Sequence, residues 1–152
     1  MKKIDLALAP RRTGSDYPPP YDGPCQGRIR HAIGEAAGLT HFGVNLQRLA
    51  PGAWSSQRHW HTSEDEFIYV LTGEVVLVTD GGEEVLLPGD CAGFGAGVAD
   101  GHHLQNRSKG DALLLEIGSR RPNEDVVEYP DIDLRWSAAN GDTHRDGTPY
   151  KR

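Results

Sequence analysis

The stretch Gln57-Arg58-His59-Trp60-His61-Thr62-Ser63-Glu64-Asp65-Glu66-Phe67-Ile68-Tyr69-Val70-Leu71-Thr72-Gly73-Glu74 places two histidines one residue apart, then a carboxylate cluster, then an apolar run that stops at a Thr-Gly turn. On a β-strand alternate side chains share a face, so His59 and His61 point the same way and Trp60 the other. Two imidazoles close together on one face, met by a glutamate from the next strand, suit a divalent metal ion. A hairpin histidine pair with no ligand is the competing reading, and this stretch alone leaves both open. Gln57 shares the histidine face and is predicted to point inward.

Outward from this stretch the chain continues in short alternating segments. Arg28 to Gly34 alternates, Glu35 to Gly38 is a turn, and Thr40 to Leu49 alternates again with Phe42, Val44 and Leu46 on one face. Pro51-Gly52 ends that segment. Downstream, Glu74 to Thr79 and Glu83 to Leu87 flank Asp80-Gly81-Gly82, a hairpin signal because Asp and Gly tolerate positive φ. Pro88-Gly89-Asp90 makes another turn. The glycine-laden Cys91 to Gly97 lacks the spacing and the following helix of a dinucleotide fingerprint, so it reads as a packed loop or bulged strand leading to Gly101-His102-His103-Leu104-Gln105-Asn106. Ala112 to Ile117 is the last strong strand. About eight or more short strands with turn residues between them describe an all-β sandwich or barrel.

Prolines 10, 18, 19, 20 and 24 exclude helix and central strand from the start of the chain, which reads as an arm over residues 1–27. The barrel spans 28–118. Residues 119–152 form a charged C-terminal extension that packs on the barrel and ends in a tail. With 152 residues this is one domain with a real core, and a net charge of −6 speaks against a nucleic-acid partner. No run approaches the length of a membrane helix, so no membrane partner is expected. Cys25 and Cys91 fit no metal-binding pattern and are predicted to be free thiols of a cytoplasmic protein. An arm too polar for a core of its own is expected to lie along a partner's sheet edge, giving a homodimer.

Gly52-x6-His59-x-His61-x4-Glu66-x6-Gly73 resembles the first motif of the cupin family, G(X)5HXH(X)3,4E(X)6G, with one extra loop residue before His59. Gly89-x7-Gly97-x4-His102-x3-Asn106 is similar to the second, G(X)5PXG(X)2H(X)3N, with Gly95 in place of the proline and two residues inserted before the histidine. The resemblance implies a cupin-type jelly-roll β-barrel of two antiparallel sheets. It further implies a metal held by His59, His61, Glu66 and His102. Three neutral imidazoles and one carboxylate leave two positions of an octahedral ion open and are compatible with Zn, Fe, Mn or Ni. Glu64 and Asp65 are placed in the turn and expected to be solvated. Alternation from an inward His102 buries Leu104 and Asn106 and turns His103, Gln105 and Arg107 outward.

A metal with open positions beside a small-molecule ligand suggests an enzyme on a small polar compound (a sugar, sugar phosphate or carboxylate), of isomerase, lyase or dioxygenase type. The alternative is a non-catalytic module that binds or senses a small ligand. Candidate pocket residues are Arg48 as an anion clamp, Gln57, and Phe94 as a wall. His103 is a candidate acid or base at the pocket rim. Near the motifs, only Arg48, Arg58 and Arg107 are available to form a basic pocket for phosphate.

Overall fold

The computed structural model describes residues 2–151. Its strands in chain order are β1 (Arg11–Thr13), β2 (Arg28–His31), β3 (Phe42–Leu49), β4 (Trp60–His61), β5 (Glu66–Thr72), β6 (Val75–Thr79) and β7 (Gly82–Leu86). They continue as β8 (Cys91–Phe94), β9 (His103–Gln105), β10 (Ala112–Ser119), β11 (Val126–Tyr129), β12 (Leu134–Ser137) and β13 (Gly141–Thr143). A single-turn helix α1 (Ile33–Ala36) occupies the end of the predicted alternating segment at Gly34 and the start of the predicted turn.

Six strands form one antiparallel sheet in the order β1-β2-β3-β10-β5-β8. The second expected sheet is split into a three-stranded β7-β6-β9 and a four-stranded β13-β12-β11-β4 piece. Isolated bridges Trp54↔Gln105 and His59↔His102 tie the segment leading into β4 to β9, so the pieces are stitched through the histidines themselves. The predicted His-x-His strand is therefore short. Residues 55–58 are bent, and regular pairing begins only at Trp60.

Alternation assigns the inner face. Asn45, Gln47 and Leu49 of β3, Ile68 and Val70 of β5, and Ala112 and Leu114 of β10 are buried. Phe42, Val44 and Leu46 share a face as predicted, and it is the outer one. Register then sorts the inner face into rows across β3, β10 and β5. Gln47, Leu114 and Val70 lie level, next Asn45, Glu116 and Ile68, and finally Gly43, Gly118 and Glu66. The apolar end of these rows packs with Val75, Leu77, Leu86 and Leu104 into the main core. Each such side chain stabilises the fold by roughly 1.5–3 kcal/mol through burial. The polar end is left to carry chemistry. Gly73 closes β5 at φ 76°, and a Cβ there would lie 2.5 Å from the Asp111 carbonyl, so both backbone and space require glycine.

The arm and the extension are built into the domain. β1 adds to the sheet edge beside β2 of its own chain, with Arg12 directly opposite Arg30. A second, smaller core joins Val127, Tyr129 and Leu134 to Tyr17 of the arm and to Tyr150. Cys25 is buried, Cys91 is exposed, and both are free thiols.

Candidate metal centre

Glu66 begins β5 and projects inward at the polar end of the rows, where three imidazoles meet it. His102 Nε2 lies 2.5 Å from Glu66 Oε2, His61 Nε2 3.3 Å from Oε1, and His59 Nε2 3.3 Å from Oε2. One donor atom from each of His59, His61 and Glu66 lies within 4.8 Å of the others. His102 joins them through Glu66 and through the His59↔His102 bridge.

The outer nitrogens of the rings decide what the inner ones can do. His59 Nδ1 lies 2.9 Å from the Gln57 carbonyl, and His61 Nδ1 2.6 Å from Asp125 Oδ2. Both acceptors favour the Nδ1–H tautomer, which aims the Nε2 lone pairs at Glu66. Lone pairs converging on a carboxylate repel unless a proton or a cation lies among them. A divalent ion answers this donor set, and the acceptors behind His59 and His61 are the supports such ligands need. Burial works to raise the Glu66 pKa, yet His59, His102 and His61 outweigh it and hold the carboxyl well below its usual range. Burial works to lower the His61 pKa, but Glu66 and Asp125 together push it up to about 9. The proton this ring would retain is the one a bound metal displaces.

Glu64 is buried, contrary to the solvated position expected of it. Its Oε1 accepts the Arg121 N–H at 2.7 Å, and Oε2 stands 3.9 Å from His61 Nδ1. Asp125 is spent similarly, on His61 and on the Ser63 N–H at 2.9 Å. Glu64 and Asp125 therefore orient His61 from behind, and Glu66 is the carboxylate on the inner side. Asp65 stays exposed as expected, accepting the Ala96 N–H at 2.8 Å.

Two open chambers reach the centre, and a smaller cavity of about 20 Å³ lined by His59, Glu66, His102 and His103 adjoins it. One, of about 250 Å³, runs past His61, Glu66 and His102 between Phe94, Trp60 and Val98. Phe94 stacks flat on His102 with ring centroids 3.6 Å apart, so it is both pocket wall and ligand support. The other, of about 270 Å³, is lined by His59, His61, Glu66, Tyr129 and four arginines, Arg12, Arg28, Arg30 and Arg120.

Three further predicted site residues lie outside these chambers. Arg48 alternates outward and pairs with Asp111 at 3.3 Å on the surface. Gln57 is buried, but its amide donates to the Tyr21 carbonyl at 2.7 Å, fastening the arm. His103 is buried, not turned out at a rim, because the Trp54–Ser56 segment covers it. Its Nδ1 meets the Ser56 carbonyl at 2.9 Å, its Nε2 meets the Gln105 amide at 3.0 Å, and burial lowers its pKa. A neutral ring satisfied at both nitrogens braces the loop behind His59. The inward side of β9 does follow the expected alternation, with Leu104 and Asn106 buried. Asn106 donates to the Leu49 and Gly110 carbonyls, so its role is to hold loops.

The basic groups near the motifs are occupied elsewhere. Arg58 clamps Asp131 through two 2.8 Å hydrogen bonds and also meets Asp80, while Arg107 grips Glu83 at 2.7 and 2.8 Å. The guanidinium groups that do face the centre come from β1, β2 and the residue after β10, outside both motifs. The pairing of β1 with β2, of β2 with β3 and of β10 with β3 brings them there.

The Cupin domain family (Cupin_2) matches residues 45–118. The chain is 44% identical to a cupin-superfamily sugar phosphate isomerase of Silicibacter pomeroyi, with 99% of this chain and 97% of that one covered and a TM-score of 0.90. It is 32% identical to a candidate sugar phosphate isomerase of Acidithiobacillus ferrooxidans, covering 82% and 81% of the two chains at a TM-score of 0.72. The polyketide cyclase RemF of Streptomyces resistomycificus shares the fold alone, at 19% identity, 87% coverage of each chain and a TM-score of 0.67. No curated protein matches. From the two histidine motifs, the barrel they sit in and these likenesses, the chain belongs to the cupin family.

Proposed function

We propose that this cupin is a metal-dependent isomerase of a small phosphorylated hydroxy-carbonyl compound, a sugar phosphate. The observation that carries this reading is the convergence of His59, His61 and His102 on Glu66 at the wall between two chambers, one of them cationic. The names of the two relatives at 44% and 32% identity support it. A divalent ion held by these four residues would supply Lewis acidity at a substrate oxygen. The chain's own contribution is to orient the substrate and limit water. Phe94 and Val98 wall one side. On the other, Tyr129 and Tyr17 line the cationic chamber, and burial together with the neighbouring Tyr17 raises the Tyr129 pKa well above its ordinary value.

A second reading, a binding module without turnover, draws on one observation. His103, the imidazole expected to work as an acid or base, is hydrogen-bonded at both nitrogens and lines only a small cavity of about 20 Å³ beside the centre. Elemental analysis of protein purified without added metal, followed by NMR assay of aldose and ketose phosphates, separates the two. Isomerisation that disappears in Glu66→Gln supports the enzyme. A ligand-dependent rise in melting temperature with no turnover of any compound supports the module.

The same reading includes a homodimer. The outer face of the six-stranded sheet carries Val44, Ile117 and Phe67 in one row and Leu46, Leu115 and Tyr69 in the next. A second copy is the occupant that such a self-complementary apolar face suits.

A further inference from the structure

The four arginines of the second chamber face only two carboxylates there, Glu66 and Glu116, and the metal ligands do not explain them. Two of the four have structural employment. Arg28 donates Nε to the Gly14 carbonyl at 2.9 Å and Nη1 to the Ser55 carbonyl at 2.5 Å, fixing the arm. Arg12 is held at the rim by Glu35, at 3.1 and 3.3 Å.

Arg30 and Arg120 have capacity left. Arg30 spends Nη2 on Glu116 at 3.0 Å, but its Nε is buried without a partner. A buried guanidinium N–H with no acceptor is costly and calls for one. The one side-chain hydrogen bond of Arg120 among the described residues is a 3.4 Å contact to the adjoining Ser119 carbonyl. Among the described residues no carboxylate oxygen stands within ion-pair distance of it.

The seat of Arg120 is made of glycine. Gly43 and Gly118 are paired across β3 and β10 at the last row of the inner face. A Cβ on Gly43 would overlap the Arg120 guanidinium, and one on Gly118 would lie 3.6 Å from its Nη1 and 3.8 Å from Glu66 Cγ. Neither glycine has positive φ, so what the missing side chains provide is space. The guanidinium fills that space, over the row that ends in Glu66.

We infer that Arg30 and Arg120, seated by Gly43 and Gly118, form a subsite for the phosphoryl group of the substrate, adjoining the metal centre. The chemistry favours a phosphate monoester. A planar guanidinium offers paired N–H donors that match phosphoryl oxygens, and a dianion is the charge that two incompletely neutralised arginines attract. The closeness of Arg120 to Glu66 sets the phosphoryl group only a few bonds from the hydroxy-carbonyl end. The identity of that end rests on the isomerase reading above, whereas the anion subsite stands on the arginines alone.

The test is calorimetric titration of inorganic phosphate into the metal-loaded protein, with malonate as a carboxylate probe. Metal content and melting temperature are recorded for each variant. Arg120→Ala should weaken phosphate binding by about tenfold or more, the scale of one charge-assisted contact. Gly43→Ala should do the same without touching a charge, because it evicts the guanidinium. Arg107→Ala, on the far surface, should stay within about twofold of the parent protein, as removal of an exposed charge does. All three should keep their metal, and phosphate should bind more tightly than malonate. A parent protein that does not bind phosphate overturns the subsite. So does phosphate affinity indifferent to both Arg120→Ala and Gly43→Ala, which would put the anion on the metal alone. Equal losses in Arg107→Ala, or tighter binding of malonate, also count against it. Protein that lacks metal yet binds phosphate through Arg120 would remove the isomerase reading and leave the subsite standing.

Discussion

Among the described residues Glu66 is the one carboxylate that touches all three inward imidazoles, and the residues behind those imidazoles decide how firmly they are held. Glu66→Gln should abolish stable metal binding, because a neutral amide replaces the anionic ligand. Asp125→Asn should leave the ligand set intact but lower metal affinity about 10- to 100-fold, the usual cost of losing the carboxylate behind a ligating histidine. Elemental analysis and competition with a chelator read both outcomes, and an Asp125→Asn protein with parental affinity would show that His61 needs no such support. Glu66 was legible in the sequence because it shares a strand face with Ile68 and Val70. Asp125 was not, since it lies 64 positions from His61 and reaches it only when β11 pairs with β4. Glu64 misled for a related reason. A carboxylate in a polar turn reads as solvated until the Arg121 N–H that covers it arrives from elsewhere in the chain.

Period-two alternation found the strands of the barrel, but on β3 it did not say which face was the core. Val44 and Leu46 look like core residues, and Asn45 and Gln47 do not. The buried polar pair is explained by Glu116, which accepts from Asn45 at 3.1 Å, from Gln47 at 2.7 Å and from Arg30 at 3.0 Å. Burial raises the Glu116 pKa and nearby Glu66 adds to that, but Arg30, Asn45 and Gln47 outweigh them and depress it. A carboxyl with a depressed folded-state pKa contributes stability that is present above its unfolded value and lost as pH falls through the folded one. Glu116→Gln should therefore cost about 1–3 kcal/mol at neutral pH, the range for losing a charged acceptor. That cost should shrink as pH falls from the ordinary carboxyl range toward the lower native value, where the folded-state carboxyl also takes up its proton. Thermal melts of the two proteins at matched pH values check this, and a difference that grows toward low pH would reverse the sign argued here.

At the scale of the whole molecule, the prolines announced an arm but not its destination. It was expected on a neighbour's sheet edge, and β1 instead pairs with β2 of its own chain. The Tyr21 and Pro24 carbonyls accept from the Gln57 side chain and the Trp54 N–H, so the arm fastens the loop that carries the histidines. We therefore place the proposed homodimer on another surface. An antiparallel sheet normally turns a polar face to water. Here Phe67 and Tyr69 are exposed beside Leu115, Ile117, Leu46 and Val44, and α1 packs over only the β3 end of that face. Two such faces brought together about a two-fold axis would each cover the other's aromatics. Light scattering at micromolar concentration should give twice the 16.6 kDa chain mass. The double substitution Phe67→Lys and Tyr69→Lys should give the single-chain mass, because paired faces would then bring like charges together. Each exposed position should change the stability of a lone chain by only about 0.5 kcal/mol. A parent protein that scatters as one chain, or a double variant that stays dimeric, would remove this face as the interface.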